Sequence, residues 1–198
     1  MFRKIALAAL LAAPALASAG SAYLIVGGAS GSIDLADIEN SYPTPSSADD
    51  AFTRAIIGVG APVNPNLAIE AVYLTNVENN VNAGIGRDEL EHGGLQAALL
   101  GKAPLTPQFS IFGKISANLM STTYHYEDNP LTVSVDEEES GAYLGFGFGA
   151  EYQASDTVGL RLQVERIQLR DITIVGMFGP EGADFDVDQA SLAVTFSF

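Results

Sequence analysis

The chain has 198 residues, 47% of them hydrophobic, with no cysteine and a formal net charge of −15. That acidity excludes nucleic acid as a partner, because a phosphate backbone is bound through Lys and Arg; the lack of cysteine excludes a disulfide framework and thiol chemistry. No run after the N-terminus approaches the ~20 apolar residues of a spanning helix, since Gly, Ser and charges interrupt every apolar stretch. A membrane would therefore be crossed by strands closed into a barrel.

The first segment is Arg3 and Lys4, an apolar run from Ile5 to Leu16, then Ala17-Ser18-Ala19. This reads as a secretory signal peptide over residues 1–19, too short in its apolar part for an anchor. In the remainder, residues 20–198, seven basic residues face 24 acidic ones, a formal charge of −17.

Tyr23 to Ile33 is a Gly-rich first strand whose facing is open, because Leu24, Ile25 and Val26 are all apolar. Asp34 to Ala51, with Pro43 and Pro45, reads as a long loop. The second strand, about Phe52 to Ala61, turns at Pro62 to Asn66, and the third, Leu67 to Val77, carries Glu70 as its one inward charge. A polar loop from Glu78 to Glu91 leads to the fourth strand, Gly94 to Lys102, and the turn Ala103 to Gln108 to the fifth, Phe109 to Tyr126, long enough to pass beyond a bilayer. The acidic stretch Glu127 to Ser140 is the third loop. In the sixth strand Leu144, Phe146, Phe148, Ala150 and Tyr152 alternate with Gly145, Gly147, Gly149 and Glu151. In the seventh Leu160, Leu162 and Val164 alternate with Arg161, Gln163 and Glu165, followed by a loop from Asp171 to about Asp188. The last strand sets Ala190, Leu192, Val194, Phe196 and Phe198 against Gln189, Ser191, Ala193, Thr195 and Ser197. Period two throughout is the mark of strands with one apolar face.

The fold class is therefore all-β: an eight-stranded antiparallel up-and-down transmembrane barrel. Long acidic connections alternate with short turns, as in outer-membrane barrels with extracellular loops and periplasmic turns. Of the 24 acidic residues, 20 fall in the four long connections, so the negative charge belongs to one end. A soluble lipocalin-like barrel would have the opposite polarity, apolar inside and wet outside. Here the Gly-rich face carries the charges, and Arg166, on the apolar face, sits at the loop end, where it would reach lipid phosphates.

The segments GAYLGFGFGAEYQASDTVGLRLQVE, PVNPNLAIEAVYL and ASLAVTFSF resemble the OmpA-type eight-stranded outer-membrane β-barrel family. The resemblance covers essentially residues 20–198. It implies that Glu70, Lys114, Glu151 and Arg161 are inward charges closing the barrel core. It also implies that Val194, Phe196 and Phe198 form the signal read by the outer-membrane assembly machinery. Larger members of that family carry a further peptidoglycan-binding domain; the matched motifs here do not imply that anchoring.

An eight-stranded barrel is filled by its own side chains. Glu70, Lys114, Glu151, Arg161, Gln163 and Glu165 are accordingly expected to form a buried ionic network, paired because an unpaired charge there costs several kcal/mol. A gate that switches partners to pass ions is the alternative use of the same residues. Catalysis has little to work with: His92 lacks a placed partner, and His125, in Thr123-Tyr124-His125-Tyr126-Glu127, lacks the His-x-Ser arrangement of barrel deacylases. Asp136 to Glu139 with Asp184, Asp186 and Asp188 suggests Ca²⁺, but the full EF-hand-type spacing is missing. The reading is a Gram-negative outer-membrane protein, not an enzyme, with no cofactor and no metal site. Its role is structural and surface-interactive, with a narrow porin-like channel and a small-barrel adhesin as alternatives. Its partners are outer-membrane lipid and lipopolysaccharide, the assembly machinery and an extracellular ligand at the loops.

Overall fold

The computed structural model describes residues 22–35, 46–83, 86–128, 133–176 and 179–198. The expected signal peptide, residues 1–19, lies outside them, as does most of the first long connection. The strands are β1 (Tyr23–Ile33), β2 (Ser46–Asp49), β3 (Ala51–Asn64), β4 (Leu67–Ala83), β5 (Gly86–Pro104), β6 (Phe109–Asp128), β7 (Val133–Gln153), β8 (Val158–Gly176) and β9 (Gly179–Ser197). Each pairs antiparallel with its neighbours, β4 with β5 and β1 with both β3 and β9, so the sheet closes on itself.

The barrel has eight strands because β2 and β3 are one strand with an interruption. Both pair with β4, at Asp49↔Asn80 and Ile56↔Leu74. The Asn79 amide bridges the break, donating to the carbonyls of Asp49 (3.0 Å) and Ala51 (3.2 Å).

Short turns gather at the end that holds both described termini. Asn66 N–H donates to Asn64 Oδ1 (2.8 Å), Phe109 N–H to Thr106 Oγ1 (3.0 Å) and Val158 N–H to Ser155 Oγ (3.1 Å). These are side chains substituting for backbone partners in tight turns. Phe198 N–H closes the seam on the carbonyl of Ala22.

At the other end the expectation of long loops is corrected. The polar stretch Glu78 to Glu91 is paired strand from Glu78↔Glu91 to Ala83↔Gly86, and the stretch Glu127 to Ser140 is paired from Ser121↔Ser140 to Asp128↔Val133. The fourth connection continues as β8 and β9 to Gly176↔Gly179. Strands of 17–21 residues from β4 to β9 exceed the ~9–11 that cross a bilayer. The excess stands above the membrane as a β-wall.

Outward residues form one apolar band, with Ile115, Leu119, Leu144, Phe148, Leu162, Leu192 and Phe196 among the exposed large hydrophobics. In β1 the odd positions face inward, with Ile25, Ala29 and Ile33 buried, which settles the facing that the sequence left open. The interior is layered. Ala68, Ala98, Leu100 and Phe112 pack near the turn end, and charged and amide side chains fill the middle. The wall encloses an apolar cap of Ile33, Leu90, Leu169, Ile172 and Phe185, each 0 or 1% exposed. Outward residues at cap level are polar, such as Asn76, Glu91 and Asp186, so the cap lies beyond the hydrocarbon.

Candidate functional site

The middle of the lumen holds two clusters built from period-two inward positions. In the lower one, Arg161 of β8 donates through Nη1 to Glu70 Oε1 and through Nη2 to Glu151 Oε2 (2.9 Å). Tyr23 O–H also donates to Glu70 Oε1 (2.6 Å), and Lys102 Nζ donates to Glu151 Oε2 (3.1 Å). The Arg161 guanidinium lies over the Phe112 ring at 5.2 Å and the Tyr23 ring at 5.6 Å, which adds cation–π attraction to the ion pairs.

In the upper cluster the Glu165 carboxylate accepts from Lys114 Nζ (2.9 Å), Gln96 Nε2 (2.9 Å), Ser116 Oγ (2.8 Å) and Gln189 Nε2 (3.3 Å). Four donors on one carboxylate offset much of the cost of burying it. Lys114 also donates to Gln96 Oε1, and Gln96 Nε2 to Asn118 Oδ1 (2.7 Å), so the amides relay between charges. Gly145 makes room for this packing: a Cβ there would stand 2.4 Å from Ser116 Oγ. Of the six residues expected in the network, Glu70, Glu151 and Arg161 meet in one cluster and Lys114 and Glu165 in the other. Gln163 lines the same lumen, and the cavity left between the clusters is about 10 Å³. That is about the room of a single water.

Sequence reasoning missed Tyr23, Lys102, Gln96 and a third group. Lys102 and Gln96 have inward parity on β5, a signal that was legible, whereas Tyr23 belongs to the strand of open facing. The third group corrects the reading of His92 as lacking a placed partner. His92 is fully buried, and Arg54 Nη2 donates to its Nδ1 (2.9 Å). With Nδ1 accepting, Nε2–H donates to Asn79 Oδ1 (3.3 Å), which assigns the neutral Nε2–H tautomer from the partners. Phe52 packs edge-on to His92 and under Arg54.

Arg166 also differs from expectation. It meets Asp188, its cross-strand neighbour, through Nε (2.6 Å) and Nη2 (2.5 Å), rather than standing free for lipid phosphates. Arg170 donates to Asp186 Oδ1 (2.8 Å) and its Nε stands 3.9 Å from Asp184 Oδ2, so Asp184, Asp186 and Asp188, considered for Ca²⁺, all have arginine partners. Among the described residues no group of three or more acidic or histidine side chains is placed to hold a metal. The side chains of Asp136 and Glu137 lie outside the described residues. Val194 and Phe196 lie on the outward face of β9, and Phe198, one residue past its end, is 62% exposed.

Solved structures share the fold. Neisserial surface protein A matches with a TM-score of 0.56 and 13% identity over 90% of this chain and 99% of its own. OprG from Pseudomonas aeruginosa matches with 0.55 and 16% over 90% and 96%, and the attachment invasion locus protein Ail of Yersinia pestis with 0.54 and 11% over 90% and 99%. At these identities the likeness is one of fold. Among curated proteins, none matches the sequence. The family model for the outer membrane protein beta-barrel domain matches residues 5–198, and the chain belongs to that family, an integral β-barrel of the cell outer membrane.

Proposed function

We propose that the protein is a closed structural barrel that stabilises the outer membrane and holds out a stiff, acidic β-wall for contact with surface partners. The observation that carries this reading is the double closure of the lumen. Paired ionic layers leave about 10 Å³ between them, and above them side chains from six strands, Ile33, Val81, Leu90, Tyr124, Leu169 and Phe185, make an apolar cap. A conducting path would need both to open, separating charges at several kcal/mol each. The function needs no catalytic step and no cofactor. Lipid and lipopolysaccharide are its partners along the apolar band, and the assembly machinery reads Val194, Phe196 and Phe198, which the closed barrel leaves exposed or half-buried on the outward face of its last strand and one residue past its end.

The test is conductance of the refolded protein in a planar bilayer, after heat-modifiable migration on a gel confirms folding. A silent, folded barrel is expected. Discrete openings that change with Arg161→Ala would overturn the reading in favour of a gated channel.

A further inference from the structure

Arg54 is the exception to the pairing that governs the rest of the lumen. Arg161 has Glu70 and Glu151, Lys102 has Glu151 and Lys114 has Glu165, whereas among the described residues no carboxylate lies within ion-pair distance of Arg54. The side chain is nonetheless 3% exposed. Its contacts are neutral: the face of Phe52 at 4.4 Å and the imidazole Nδ1 of His92. That imidazole is fixed in its accepting tautomer by Asn79, so it takes a hydrogen bond without taking charge.

Two of the guanidinium nitrogens, Nε and Nη1, are buried and without a hydrogen-bond partner. So is the hydroxyl of Thr122, which stands directly across the β5–β6 ladder from His92. Buried donors without acceptors are rare in folded proteins and mark an unseen partner. Glu165 acts on Arg54 only from beyond ion-pair distance and is itself paired with Lys114; water would satisfy an N–H group without bringing a counter-charge into contact, and an anion does both. The apolar cap above, with Leu90 and Phe185, closes the region to bulk solvent and strengthens any charge pairing beneath it.

We propose that Arg54 and Thr122 bind a small monovalent inorganic anion of the chloride class inside the barrel, beneath the apolar cap. The anion accepts from one of the two unpartnered Arg54 nitrogens, which point to different edges of the guanidinium, and from the Thr122 hydroxyl, while Phe52 and His92 hold the guanidinium in place. This goes beyond the structural role of the barrel and does not depend on it: a conducting barrel would carry the same site.

The test is to refold the full chain in sodium bromide, crystallise it, and measure anomalous diffraction. A bromide peak in contact with Arg54 Nε or Nη1 is the expected result; its absence, with water in that place, would overturn the proposal. In parallel, the unfolding midpoint is compared in chloride and in gluconate at equal ionic strength. The unmodified protein should melt a few degrees higher in chloride, and Arg54→Gln should lose that difference. Thr122→Val, which keeps the cation, should shrink it if the Arg54 variant does not fold. Equal midpoints in the unmodified protein, or a chloride effect retained by Arg54→Gln, would equally sink the idea.

Discussion

Arg161 and Glu70, 91 positions apart in sequence, meet at the centre of the lumen with 2% and 1% of their side chains exposed. Because Glu70 also accepts from Tyr23, Glu70→Ala leaves the buried phenol without its acceptor and the Arg161 cation with Glu151 alone. The expected loss is ~3–5 kcal/mol, the usual consequence of leaving one buried partner behind. Denaturant unfolding in lipid vesicles reads it, and Glu70→Leu combined with Arg161→Met should recover most of it. A double variant as unstable as the sum of its singles would show that the two do not act as a pair.

Gly60 and Gly113 should respond in opposite ways. A Cβ on Gly60 would stand 2.3 Å from the Tyr23 ring, which its bond to Glu70 holds in place, whereas a Cβ on Gly113 meets nothing within 4 Å. Gly60→Ala is expected to cost ~1–3 kcal/mol by overpacking. Gly113→Ala should be neutral or stabilising by up to ~1 kcal/mol, from the entropy that glycine loses on folding. Unfolding midpoints of the two variants side by side decide this.

Asn79→Ala removes the bridge over the β2–β3 break and the acceptor of His92. A loss of ~1–3 kcal/mol is expected from the buried groups left unsatisfied. Hydrogen exchange should locate it, with β2 amides exchanging faster while those of β8 keep their protection. Uniform acceleration over the barrel would argue against a local bridge.

Leu162, outward and 59% exposed, sits in the apolar band, and Asn76 stands outward beyond it with its amide on Glu91 Oε1 (2.6 Å). Leu162→Arg should cost ~2–4 kcal/mol in lipid, and Asn76→Arg at most ~1 kcal/mol, because the penalty follows depth in the bilayer. Comparable losses at both positions would misplace the upper edge of the band.

The parts of the fold that were legible in the sequence are those where alternation meets a one-sided environment. The seventh strand, with Arg161, Gln163 and Glu165 against Leu160, Leu162 and Val164, declares its faces, and so does the last strand. The β-wall was illegible because outside the membrane both faces of a strand tolerate polar residues, so Glu78 and Glu91 read as loop although they pair. A register shift between Leu74 and Val77 hid the rest. It moves the inward set from Glu70, Val72 and Leu74 to Asn79 and Val81, and a strict period of two loses its phase there. The apolar cap was hidden in the same way: Leu169 and Ile172 face inward across a second shift, in a stretch whose acidity suggested solvent. Within the lumen, charges were recognisable by parity, but partner choice was not. That Lys102 reaches Glu151 while Arg54 turns to a histidine depends on strand tilt and stagger around the closed sheet.

The β-wall carries its own core, and this bears on how the exterior would be seen by an antibody. Asp184, Asp186 and Asp188 share one face of β9 and are held by Arg166 and Arg170 of β8 at fixed strand spacing. A binder raised against the folded protein would meet side chains contributed jointly by two strands, an epitope that a linear peptide from either strand does not reproduce. Because the apolar cap sits beyond the hydrocarbon, that epitope should survive transfer from bilayer to detergent.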